Sequence, residues 1–173
     1  MRDFFNPPDE QCVNTSAARA YLYDSEDGEP VALSEMILHG RPVVIENPTL
    51  QRIVFRPVDK ILYGPRDKRR GDVFMHTKDR RQLYFVEMKL WRVSGWFKSG
   101  LEQLRNVVLD FLASHGEIVA EALIRRAYIC NPYRPRFAFS HAEAIRDFHR
   151  ETCFVLHPEG SVKVGLSQMK GAR

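Results

Sequence analysis

The sequence lacks most of the features that would assign it to a specialised class. Its three cysteines, Cys12, Cys130 and Cys153, are scattered without CxxC or Cys/His spacing, so neither a disulfide framework nor a structural zinc site is expected. The six histidines are equally dispersed. The opening MRDFFNPPDE carries charges where a signal peptide needs an apolar stretch, and no apolar run approaches the roughly 18 residues of a membrane span. The expectation is a soluble, cytoplasmic protein with no membrane association. There is no Gly-rich phosphate loop, which argues against an ATPase, and no GxSxG or comparable nucleophile arrangement. No internal repeat is visible.

What is present is the composition of one globular domain. The chain has 173 residues, 44% of them apolar, enough for a core without metal staples. Its net charge of +4 hides a marked asymmetry. Residues 1–51 carry 3 basic and 9 acidic side chains, residues 52–105 carry 14 and 6, and residues 106–173 carry 9 and 7. Positive charge is therefore concentrated in the middle third, in the cluster Arg66, Lys68, Arg69, Arg70 and the cluster Lys78, Arg80, Arg81. Basic turns either keep loops solvated or form a phosphate-binding rim. Lys98, beyond the second cluster, is a further candidate for phosphate contact. The acidic first third reads as a protein-contact or self-shielding segment.

Hydrophobic patterning organises the chain. Pro7 and Pro8 make residues 1–12 an irregular arm. Asn14, Thr15 or Ser16 as a cap predicts a short helix over Ala17–Tyr23, with a second over Leu33–Leu38, then short strands at Pro42–Asn47 and within Leu50–Phe55. Val58–Tyr63, Asp72–His76 and Gln82–Leu90 read as an antiparallel meander, separated by GPRDKRRG and TKDRR. In the third run Leu83, Phe85, Glu87 and Lys89 alternate with Tyr84, Val86, Met88 and Leu90, the pattern of a central strand covered on both faces. Leu101, Leu104, Val107, Val108, Phe111 and Leu112 form one helical stripe, broken at His115-Gly116. A strand over Arg126–Cys130, a helix over His141–Glu151, and a closing hairpin of Cys153–His157 with Val162–Gly165 complete an α/β chain with a mixed sheet. Residues 1–57 are expected as an extension packed on a core of 58–167, with 168–173 frayed.

The chemistry gathers at one end of the meander. Asp72 opens one strand and Glu87-Met88-Lys89 closes the next, so antiparallel pairing brings them together. Two neighbouring carboxylates repel and raise each other's pKa unless a divalent cation lies between them. A lysine beside them faces a phosphate or an attacking water, which completes a set suited to metal-assisted phosphodiester hydrolysis. With no Cys/His cluster, the ligands are oxygens and the metal is Mg²⁺ or Mn²⁺.

Asp72, the spacer, Glu87-Met88-Lys89 on an apolar strand and a following helix that carries Gln103 resemble the PD-(D/E)xK nuclease superfamily, the restriction-endonuclease-like fold, over about residues 58–130. The resemblance implies an αβββαβ core with a mixed central sheet flanked by helices. It further implies that Asp72, Glu87 and the Met88 main-chain carbonyl hold Mg²⁺, that Lys89 orients or activates the nucleophilic water, and that Gln103 lies near the site. Gly71 stands where the named motif has Pro, and Val107 where some members have Tyr. Many members add an acid from the first helix, for which Glu35 and Glu46 are the candidates.

The function expected is a Mg²⁺-dependent endonuclease or exonuclease acting on DNA. Its alternative is a catalytically silent nuclease-fold module that binds nucleic acid or a protein. One small domain leaves little room for reading sequence, so a homodimer, a larger partner subunit or DNA structure is expected to supply target choice. Trp91, Trp96, Ser94, Ser99 and the segment around Tyr133, Arg134 and Arg136 have equally plain readings as loop anchors and connectors.

Overall fold

The computed structural model describes residues 2–6, 13–24, 31–59, 61–64, 67, 71–89, 95–133 and 141–165. The cluster Arg66, Lys68, Arg69, Arg70, along with Leu90, Trp91, Ser94, Arg134, Arg136 and the tail 168–173, lies outside the described residues.

The protein is a mixed α/β chain with a central mixed sheet of six strands and a second sheet of four. The described strands are β1 (Val13–Thr15), β2 (Arg19–Tyr23), β3 (Ala32–Ser34), β4 (Val43–Glu46), β5 (Ile53–Pro57), β6 (Val73–Thr77), β7 (Gln82–Met88), β8 (Ile124–Cys130), β9 (Val155–Glu159) and β10 (Ser161–Lys163). The helices are α1 (Trp96–Glu121) and α2 (Ala142–Thr152). The central sheet runs β1-β5-β6-β7-β8-β9 and the smaller one β10-β4-β2-β3. β5, β6 and β7 form an antiparallel meander, whereas β7, β8 and β9 are parallel. Parallel neighbours need long crossovers, and α1 and α2 supply them.

β7 is the central strand its composition predicts. Leu83 and Phe85 join a core with Leu104, Val107, Val108 and Phe111 of α1 and Phe148 of α2. Tyr84, Val86 and Met88 join a second core with Ala20, Leu22, Val43 and Ile45 of the small sheet. The helices thus cover one face of the central sheet and the four-stranded sheet covers the other. α1 begins at Trp96, earlier than the apolar stripe suggests, because Trp96 and Phe97 are buried at its start and Gly95 enters at φ 87°. Non-helical geometry at His115 (φ −138°, ψ 31°) interrupts it where the stripe breaks.

The first third departs from expectation. The stretch predicted as a helix over Ala17–Tyr23 contains β2, in which Ala20 and Leu22 are buried with period two against β4. The cap residue Thr15 serves another turn, accepting from the Ala17 amide at 3.1 Å. No helix forms over Leu33–Leu38 either: β3 ends at Ser34, and Met36, Ile37 and Leu38 stay exposed with no face to bury. The described residues of the expected Val58–Tyr63 strand form a turn, and β5 is the first meander strand; the Leu62 amide bonds the Val58 carbonyl at 3.0 Å. The predicted closing hairpin is also absent. β9 pairs with β8 while β10 joins β4 in parallel, so the chain changes sheets at Gly160. β5 and β10 therefore interleave the two sheets across the expected boundary at residue 57.

The N-terminal arm is part of the core. Phe4 and Phe5 are buried, with Phe4 edge-on to Phe74, Phe85 and Phe111. Arg2 bonds the Leu62 carbonyl at 2.9 Å and lies 4.2 Å from the Tyr63 ring centre, holding the turn after β5 in place.

Candidate functional site

Pairing of Val73 with Val86 brings Asp72 and the end of β7 to the open end of the β6–β7 hairpin. The Asp72 amide bonds the Val86 carbonyl at 3.2 Å, and the Met88 amide donates to Asp72 Oδ2 at 2.6 Å. β8 continues the edge, with its Cys130 carbonyl accepting from the Lys89 amide at 2.8 Å.

Glu87 and Lys89 lie on the helix-facing side of β7, and both are buried. Glu87 Oε1 is 2.5 Å from Lys89 Nζ. Glu87 Oε2 meets no hydrogen-bond donor among the described residues. Lys89 Nζ also donates to Gln103 Oε1 on α1, which accepts from the Ser99 hydroxyl at 3.4 Å. The sheet and α1 thus bring Asp72, Glu87, Lys89 and Gln103 together.

Two glycines make room for this group. A Cβ at Gly100, in the second turn of α1, would sit 3.0 Å from Ile129 Cγ2, 3.4 Å from Glu87 Cγ and 3.5 Å from Lys89 Cε. One at Gly71 would sit 3.0 Å from Val107 Cγ1 and 3.7 Å from Glu87 Oε2. In the sequence Gly71 stands out only as the residue in the motif's Pro place, and Gly100 is not singled out. A glycine on the inner face of an amphipathic helix, where it costs about 1 kcal/mol relative to alanine, is the signal that marks Gly100.

The electrostatics follow from burial. Loss of water pushes the Asp72 carboxyl up to about 7; the Met88 amide and Lys89 oppose the rise, and the charges of Asp24 and Asp59 add to it. The residue keeps some surface, but its carboxyl end is packed away from solvent. Glu87 is raised well above the ordinary carboxylate range, first by burial and then by Asp72, with Lys89 acting against both. The pair is one proton-hungry unit in the metal-free chain.

Among the described residues no group of three or more His, Cys, Asp or Glu side chains closes around a metal position. The acids brought together, Asp72 and Glu87, offer oxygen donors, the type that a hard divalent cation takes.

Other predicted site residues lie elsewhere. Lys78, Arg80 and Arg81 are exposed at the opposite end of the hairpin, beyond the pairing of His76 with Leu83, and so do not border Asp72 and Glu87. At about 3.3 Å per residue, the length of β7 separates the two ends by roughly 20 Å. Lys98 is exposed in the first turn of α1, five residues before Gln103. Glu35 is on the bend after β3 and accepts from the Thr15 hydroxyl at 2.5 Å, and Glu46 is on β4 opposite Arg19 and Lys163. Neither is on a helix, because strands occupy the described part of the chain before Trp96. Trp96 is buried, as an anchor of the helix start. Tyr133 faces the Arg41 guanidinium, 5.3 Å from its ring centre. No helix among the described residues is long and apolar enough to cross a membrane.

No family model, curated protein or solved structure matches the chain.

Proposed function

We propose that the protein is a metal-dependent nuclease that hydrolyses phosphodiester bonds in DNA on a restriction-endonuclease-like core. The observation that carries this reading is the Glu87 carboxylate, fully buried, without a donor at Oε2 among the described residues, beside Asp72 and bordered by Gly71 and Gly100. A carboxylate so removed from water costs several kcal/mol unless charge is returned to it, and a single lysine shared with Gln103 returns only part. Asp72, Glu87 and the Met88 main-chain carbonyl would hold Mg²⁺, with Mn²⁺ as its substitute. Bound there, the cation would polarise a phosphoryl oxygen and acidify a water molecule.

Lys89 gives the site a positive charge of fixed position. Glu87 and Gln103 hold its ammonium from two sides, so it orients an attacking water and balances charge on a phosphate with little reorganisation. The antiparallel β5-β6-β7 meander, the α1 crossover and the parallel strand β8 support the βββαβ part of the nuclease core. DNA as the substrate rests on the basic middle third of the chain. Selection of the target by a second copy or a larger subunit fits the small size of the domain.

The test is cleavage of supercoiled, linear and single-stranded DNA with Mg²⁺ or Mn²⁺. Wild type is expected to cut, and Glu87→Gln and Lys89→Ala to lose about 10³-fold in rate with unchanged circular dichroism. Cleavage at the wild-type rate by both variants would remove the reading. Salt-sensitive DNA binding without cleavage by wild type would instead favour a silent binding module.

A further inference from the structure

Two groups of large apolar side chains are held in solvent by hydrogen bonds, and their surroundings are opposite in charge. Met36, Ile37 and Leu38 are 70%, 65% and 58% exposed. The Tyr23 hydroxyl donates to the Met36 carbonyl at 3.5 Å and accepts from the Leu38 amide at 2.7 Å, which fixes this segment against the end of β2. Asp24 and Glu35, on either side of β3, are exposed as well. From residue 24 to residue 38 the sequence has five acids and no lysine or arginine, so the apolar segment belongs to an acidic stretch.

The second group is Leu123, 73% exposed between α1 and β8, with Val155 of β9 at 44%. The Leu123 amide donates to the Arg81 carbonyl at 2.8 Å, which pins the residue to the β6–β7 turn. Leu123 lines two cavities, one of about 520 Å³ bordered by Arg80 and Arg81 and one of about 300 Å³ bordered by Arg125 and Arg126. Uncharged partners place three of these side chains. Arg80 lies 4.2 Å from the Phe5 ring centre, Arg125 donates to the Val119 carbonyl at 3.4 Å, and Arg126 donates to the Lys163 and Gly165 carbonyls at 3.1 and 3.0 Å. Among the described residues no carboxylate forms an ion pair with any of the four arginines. Asp79 and Glu121 border the larger cavity, but Asp79 already accepts from the Thr77 hydroxyl and the Arg81 amide. Fixed arginines around an apolar centre suit an acidic, apolar protein segment, and Arg and Met are both enriched at protein interfaces. A phosphate backbone would use the cations and leave Leu123 and Val155 in water.

We propose that Leu123 and the arginines around it bind the segment Glu35–Leu38 of a second copy of this chain. The two patches are different surfaces, so the contact is heterologous, head to tail. It is small beside the roughly 800 Å² per partner of a standard interface, which makes the assembly a concentration-dependent equilibrium. The proposal stands apart from the chemistry at Asp72 and Glu87.

Sedimentation equilibrium of the full chain at up to about 200 µM tests it. Wild type is expected to self-associate, and less so as salt rises from about 0.05 to about 0.5 M. Ile37→Lys and Leu123→Glu alter exposed side chains and should keep the wild-type circular dichroism; each is expected to weaken association by at least about 10-fold. Mixed together, the two variants should form a 1:1 complex and nothing larger, because one intact acidic patch then meets one intact basic patch. A monomeric wild type, association that ignores salt, loss of association in only one of the two variants, or a mixture that stays monomeric overturns the proposal. Loss of duplex-DNA binding in Leu123→Glu with self-association intact overturns it too, and assigns the arginines to nucleic acid.

Discussion

The β6–β7 hairpin carries an aspartate at each end, in opposite circumstances. At the turn, Asp79 accepts from the Thr77 hydroxyl at 2.5 Å and the Arg81 amide at 3.1 Å, and these bonds hold its carboxyl below the ordinary range. At the open end, burial drives Asp72 up to about 7, and beside it Glu87 has an oxygen with no donor among the described residues. One end satisfies its charges from within the chain. The other does so only in part: Asp72 accepts from the Met88 amide and Glu87 Oε1 pairs with Lys89, while Glu87 Oε2 meets no donor among the described residues. Both ends read alike in sequence, as charged residues at the limits of apolar strands, and the difference lies in what packs over them. α1 and β8 close over Glu87, whereas Asp79 stays exposed.

The largest effect expected from this contrast concerns metal-free stability. Between the ordinary aspartate value of 3.8 and about 7, folded Asp72 keeps a proton that the unfolded chain has released. The unfolded state then binds fewer protons, so the contribution of Asp72 to stability falls as pH rises through this window and is lowest above pH 7. Asp72→Asn should therefore stabilise the metal-free protein at pH 8 by on the order of 3 kcal/mol, and by much less at pH 4. Denaturant melts of both proteins in EDTA across that range check it. A stability difference independent of pH would break the comparison.

The opposite end should respond with the opposite sign. Asp79→Asn weakens the bonds that shape the turn and is expected to cost about 1 kcal/mol at pH 7. The depressed carboxyl stabilises the fold above the unfolded aspartate value, and this support is lost as pH falls through the lower folded value. The cost should therefore shrink in acid, where the Asp72→Asn effect also shrinks but from a gain. Melts of the two variants in one buffer series display the two effects, of opposite sign, converging toward zero in acid.

Much of this geometry was legible because period-two alternation on β7 and the helical stripe on α1 are strong signals. They located the central strand, the helix that covers it, and the charges at the strand end. What was not legible depends on partners distant in sequence. β2 looks helical until Ala20 and Leu22 find β4, and β10 looks like half of a hairpin until it pairs with β4. Lys78, Arg80 and Arg81 failed as neighbours of the site for a simpler reason: a turn linking two strands lies a full strand length from the strands' open ends. Gly100 precedes the helical stripe that begins at Leu101, though it lies inside α1 at a close approach to Glu87 and Lys89.

The smallest expected effect separates the two ends by the DNA contact proposed above. Lys98 is exposed on the first turn of α1, the helix that carries Gln103, whereas Arg81 is exposed at the far turn. A lysine that neutralises one phosphate contributes about 0.9 to the slope of log affinity against log salt on duplex DNA. Lys98→Ala should reduce that slope by about 1 and weaken binding a few-fold at moderate salt. Arg81→Ala should leave both unchanged. Fluorescence anisotropy with one labelled duplex, in Ca²⁺ to suppress cleavage and over a series of salt concentrations, measures the two slopes together. Equal slopes for the two variants would mean that DNA does not favour the open end of the hairpin, whereas a change confined to Arg81→Ala would assign binding to the far turn and separate it from Asp72 and Glu87.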